Sequence, residues 1–157
     1  MSARATERAC LRGLLAFLAA SAAFPGAWAT LAPASFHRSF PLGGDGWVAP
    51  LGATSPHLLA DVGAFYLAFA VLFAWAAWRP DRALVVPLGL AWAGFSALHL
   101  GWHAAHLAPF SVGAAVAQTA SLALAVAAPL LATWLGARAE RDAARQPVQP
   151  PAASQAA

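Results

Sequence analysis

Three of the five histidines, His99, His103 and His106, fall within the thirteen residues FSALHLGWHAAHL, at steps of four and three. On an α-helix those steps return side chains to nearly the same azimuth, so the three imidazoles form one stripe about two turns long. A second pair, His57 and Asp61, is also four apart and shares a helical face. Imidazole and carboxylate together are ligands for Zn²⁺, Cu²⁺ or Fe²⁺, and two histidines at i and i+4 can hold one ion between them. His57, Asp61, His99 and His103 supply a tetrahedral set, with His106 as a substitute or outer ligand. The HExxH pattern of zinc peptidases is absent, because Leu100 and Gly101 follow His99. No catalytic residue is assigned.

These residues lie in a chain that is 61% hydrophobic and 10% charged, with a mean hydropathy of +0.63. A soluble domain carries roughly 25% charged residues. The fold class expected is therefore all-α, an integral-membrane four-helix bundle. The sequence pI near 10.5 raises a nucleic-acid reading. It fails, because the basic residues are all arginines, divided between the termini and one turn apart from Arg38, with no basic patch interleaved with aromatics. The lone Cys10 excludes an intrachain disulfide, a CxxC redox pair and a thiolate zinc site.

Four apolar segments long enough to cross a bilayer follow one another, at about 11–31, 57–78, 83–104 and 111–135. Residues 1–10 form a basic N-terminus, 32–56 an extracytoplasmic loop, and 137–157 a Pro/Gln/Ala-rich tail expected to be disordered. The first segment has two readings. It is a membrane helix, or, with Pro25-Gly26 and Ala27-Trp28-Ala29 near its end, a signal peptide cut after Ala29. Ser55-Pro56 marks a helix start, serine at the N-cap and proline at N1. Arg79-Pro80-Asp81-Arg82 is a tight turn that makes the second and third segments antiparallel neighbours. The fourth segment repeats small residues at Gly113, Ala117, Ser121 and Ala125, spacing that lets helices approach closely in lipid. Gln118 and Thr119 are its main polar features. That face is the expected contact for a membrane-protein partner or a second copy.

Arginine placement sets the orientation. With both termini cytoplasmic, Arg4, Arg8, Arg12, Arg79, Arg82, Arg138, Arg141 and Arg145 are inside and only Arg38 is outside. The second segment then starts at the outer face of the plasma membrane and the third ends there. All five histidines and Asp61 collect at that side. A carboxylate in hydrocarbon costs at least about 2.5–3.5 kcal/mol and normally finds a partner in the bundle interior. The expected partner of Asp61 is His99, across the interface between the second and third helices.

Several chemistries fit this constellation. One is the transition-metal site. Another is b-type haem, with His57 or His99 as axial ligands among Phe65, Trp92, Phe95 and Trp102. A third is proton or quinone handling by an Asp–His relay. Beside them stands a structural reading, in which the Asp–His pair fixes helix register in an accessory subunit of a larger membrane complex.

The residues Phe40-Pro41, Trp47-Val48, Ser55-Pro56-His57-Leu58, Asp61-Val62-Gly63-Ala64, Trp78-Arg79-Pro80 and His99-Leu100 with His103 and His106-Leu107 resemble a group of small actinobacterial integral-membrane proteins. These are loosely similar to the four-helix DoxX-like proteins. The resemblance spans about 36–107 and implies a four-helix bundle in the plasma membrane. It carries no assigned reaction.

Overall fold

The computed structural model describes residues 3–41 and 46–144. Its elements are α1 (Ala3–Leu31), a short α2 (Pro33–Ser39), a 3₁₀ turn (Ala49–Leu51), α3 (Pro56–Trp78), α4 (Arg82–Ala105) and α5 (Val112–Ala144). Within α1, α3, α4 and α5 lie four spans long and apolar enough to cross a membrane: Ala5–Leu31, Pro56–Trp78, Arg82–Ala105 and Val112–Arg138. The four long helices run up and down in chain order.

Local chemistry sets their ends. Ser55 holds the extended N-cap conformation before Pro56, although its hydroxyl makes no capping bond. Asp81 caps α4, its carboxylate accepting from the Ala83 N–H at 2.8 Å. Arg12 reaches across from α1 to donate to the Trp78 carbonyl at the end of α3, at 2.6 Å. Two arginines lie over aromatic rings at this same end, Arg79 over Trp78 at 4.8 Å and Arg138 over Trp134 at 5.2 Å. Helix α5 continues to Ala144, into the stretch expected to be a disordered tail. The remainder of that tail lies outside the described residues.

Glycine decides which helices touch. A Cβ on Gly63 of α3 would stand 2.7 Å from the Thr30 backbone nitrogen and 2.8 Å from the Gly26 carbonyl oxygen, so α1 and α3 meet backbone to backbone. Likewise a Cβ on Gly89 of α4 would meet Thr133 Oγ1 and stand 2.9 Å from the Pro129 carbonyl oxygen of α5. The bundle is thus two tight pairs, α1/α3 and α4/α5. Helices α3 and α4 are neighbours, as the short turn requires, but their backbones approach at few places. Aromatic rings fill the space instead: Trp92 of α4 lies 5.1 Å from Tyr66, 5.0 Å from Phe69 and 5.8 Å from Phe73 of α3.

The two pairs close on each other at the arginine-bearing end. There Leu11, Leu15 and Leu18 of α1 pack with Phe73 and Ala76 of α3, Val85 and Leu88 of α4, and Ala128 and Ala132 of α5. The small-residue repeat, expected to meet a partner or a second copy, is not what packs α5 against α4. Gly113 has nothing within 4 Å of a Cβ built on it, whereas Pro129, Thr133 and Gly136 carry the contact with α4. At the opposite end the pairs diverge, and a cavity lies between them.

Candidate functional site: an apolar cavity with a polar end

The cavity measures about 370 Å³ and is walled by the later half of α1, the first half of α3, the later half of α4 and the first half of α5. Its roof is the α1–α3 connector, through Phe36, Phe40, Trp47, Val48 and Leu51. That connector was expected to be an extracytoplasmic loop; it contains a helix, begun by Pro33 at its first turn. The aromatic spacing makes it compact: Phe36 and Phe40, four apart, have ring centroids 4.6 Å apart, and both lie edge-on to Trp28 of α1. Trp28 Nε1 donates to Ser35 Oγ at 3.2 Å, and His37 Nε2 donates to the Gly52 carbonyl at 3.0 Å. His37 therefore holds the connector together and is absent from the cavity wall.

Most of the lining is apolar, and its polar members are few. The hydroxyls of Ser21 and Ser121 donate to carbonyls of their own helices, Leu18 at 2.9 Å and Ala117 at 2.8 Å. Tyr66 and Ser96 contribute two more hydroxyls from facing helices. The rest is one cluster: His99 and His103 of α4 with Gln118 of α5. The two imidazoles stand edge to face with centroids 4.5 Å apart, and the His99 ring stacks on Phe95 at 5.7 Å.

Gln118 is the most telling residue of the cluster. It is 1% exposed, and neither its Nε2 nor its Oε1 has a hydrogen-bond partner; the same is true of His103 Nδ1. The amide is close enough to the His103 ring to interact with it, but not in the geometry of a hydrogen bond. One bond between them would satisfy at most two of the three atoms. Buried polar groups are overwhelmingly hydrogen-bonded, and three without partners around one cavity need an explanation.

The five residues expected to form a metal centre are divided. His57 Nε2 and Asp61 Oδ2 are 3.3 Å apart, so they pair within α3, and their side chains are 85% and 60% exposed. Asp61 thus meets His57 and not His99. The reason lies two residues on: Gly63 is packed against α1, and a position two residues away on a helix lies about 200° around the axis. Glycine packing therefore turns Asp61 outward. His106 leaves the stripe because α4 ends at Ala105 and His106 is its C-cap, with non-helical φ −124 and ψ 40. Its ring stacks on Trp102 at 4.1 Å and its Nδ1 donates to the Trp102 carbonyl at 2.7 Å. Only His99 and His103 of the set line the cavity. Among the described residues no three His, Cys, Asp or Glu side chains are grouped to hold a metal ion. Of the two histidines expected as haem ligands, His99 lines the cavity and His57 stands outside it.

Sequence reasoning missed the roof and the importance of Gln118. The signal for the latter was present: an amide in a long apolar helix has no inexpensive place in lipid, and so belongs against protein or a ligand. Comparison with protein-family models, with curated proteins and with solved structures gives no match to this chain in any of the three.

Proposed function

We propose that this chain is a multi-pass protein of the plasma membrane that binds a small amphipathic molecule inside its bundle, with the molecule's polar end at His99, His103 and Gln118. The cytoplasmic face is the arginine-bearing end, and the cavity belongs to the outer leaflet. One observation carries the reading: three buried polar atoms, on Gln118 and His103, stand without partners at one end of a mostly apolar cavity. Pockets that take small molecules have this character, a mostly apolar wall with a few convergent polar groups, and run from roughly 300 to 1,000 Å³. The chain acts as a binding protein in this reading, with no bond made or broken by its own residues.

Native mass spectrometry after gentle detergent extraction tests it. The wild-type protein carries a non-covalent adduct of defined mass, and Gln118→Leu and His103→Phe lower its occupancy. A bare wild-type chain, under conditions that keep other membrane proteins loaded, overturns the reading.

A second reading places a transition metal at His99 and His103, the remaining ligands coming from the occupant or water. It is favoured by the proximity of the two rings and the free buried Nδ1 of His103. Elemental analysis separates the two: one metal per chain, lost in His99→Ala, supports the metal, and a metal-free loaded protein removes it.

A further inference from the structure

Resting on the binding reading above, the geometry points to the class of occupant and its route: an uncharged lipid whose head both donates and accepts hydrogen bonds, taken up sideways from the outer leaflet between α1 and α5. Three observations converge on it.

The first is charge. Among the described residues no arginine, aspartate or glutamate lines the cavity, and the chain has no lysine. Among those residues a phosphate head would have no permanent cation to meet it, and an ammonium head no carboxylate. Leaving such a charge unpaired in an apolar site is costly.

The second is the hydrogen-bonding inventory. Gln118 offers an N–H donor at Nε2 and an acceptor at Oε1, and His103 Nδ1 is either, according to tautomer. A hydroxyl, which donates once and accepts twice, satisfies both ends of the amide, as the glycerol head of a monoglyceride would. A pure hydrocarbon satisfies neither.

The third is where the lining is exposed. Five cavity-lining residues are exposed, and four of them belong to two helices, Phe17 and Ser21 to α1 and Ser121 and Leu124 to α5, with Val62 of α3 the fifth; the proposed gap lies between these two helices. At 1.5 Å per residue, Ser21 lies about 15 Å below the end of α1 and Leu124 about 18 Å below the start of α5. In a hydrocarbon core about 30 Å thick the gap therefore faces acyl chains near the bilayer midplane. Gln118 is only about 9 Å below the start of α5 by the same measure. Polar head near the surface and opening near the midplane is the orientation an outer-leaflet lipid already has, so it slides in without turning over. A cavity of about 370 Å³ takes the head and upper chain, and the remaining chain leaves through the gap.

Tryptophan quenching by brominated lipids tests this on the full chain in detergent micelles. Trp92 lines the cavity and is 4% exposed, so its quenching reports on the interior. Brominated monoglyceride is expected to give a saturable component that Trp92→Phe lowers and Trp92→Phe with Trp47→Phe removes, the two tryptophans of the lining, and brominated phosphatidylglycerol none. Gln118→Leu, which keeps Trp92, should raise the half-saturating concentration about tenfold, the equivalent of one or two lost hydrogen bonds. Ser121→Phe, at an exposed position between α1 and α5, should slow saturation. Saturable quenching by phosphatidylglycerol, or equal quenching by both, overturns the uncharged head while leaving the binding reading intact. Quenching of Trp92 by neither, with a bare native mass spectrum, removes both. Unchanged kinetics in Ser121→Phe overturn the sideways route.

Discussion

Replacing Gln118 with leucine should do two opposite things, and the opposition separates a ligand site from a structural amide. Gln118 is 1% exposed with both polar atoms unpartnered. Burying an amide without a compensating hydrogen bond costs about 1–3 kcal/mol in protein mutational data. Leucine is close in volume, so the change adds little packing strain. The unliganded Gln118→Leu protein should therefore be more stable than the parent by about 1–3 kcal/mol. Its affinity for the occupant should fall in the same experiment. Reversible unfolding in mixed dodecylmaltoside and SDS micelles, followed by far-UV circular dichroism, measures the first effect on delipidated protein. Gln118→Met repeats it with a straight side chain. A loss of stability beyond about 1 kcal/mol in both variants would refute the reasoning, because it would mean that the amide is already bonded within the protein.

Other outcomes follow from the packing and topology. Gly63→Ala should destabilise by about 1–3 kcal/mol, since the new methyl meets the backbone of α1, which cannot give way as a side chain would. Gly113→Ala, with nothing within 4 Å of the added Cβ, should be neutral or stabilising by up to about 1 kcal/mol in the same SDS titration. His57→Ala and Asp61→Asn should each change stability by less than about 1 kcal/mol, as exposed i,i+4 pairs do, and should leave occupancy in the native mass spectrum unchanged. Cys10, the lone cysteine, is exposed at the arginine-bearing end. A membrane-impermeant maleimide should label it only after permeabilisation, and should label a cysteine placed at Gly52 in intact cells. Intact-mass measurement should find α1 retained, because cleavage after Ala29 would remove Leu11, Leu15 and Leu18 from the core and one wall of the cavity.

The spans were legible because length and apolarity alone define them. Segments expected at 57–78 and 83–104 are helices Pro56–Trp78 and Arg82–Ala105. Helical periodicity also placed His57 and Asp61 on one face and His99 and His103 on another, and both pairs are adjacent in space. What periodicity cannot supply is the rotation of each helix about its axis. Gly63 settles it for α3, and a glycine's packing partner is written in another segment. The same limit hid the cavity: Phe17, Tyr66, Phe95 and Gln118 come from four helices, and each alone reads as ordinary membrane-facing or core sequence. The roof was missed because Pro33 and the Phe36/Phe40 pair make a helix too short to show as an apolar period.

Photo-crosslinking from two positions on α4 tests the occupied cavity most directly. Benzoylphenylalanine at Phe95 sits in the cavity wall, and at Leu98, which is 79% exposed, it faces the bilayer. The expected result is a single adduct of defined mass at position 95, reduced by Gln118→Leu, beside a mixture of bulk membrane lipids at position 98. The same mixture at both positions would contradict a bound amphiphile and leave a hydrophobic bundle with an unoccupied hollow.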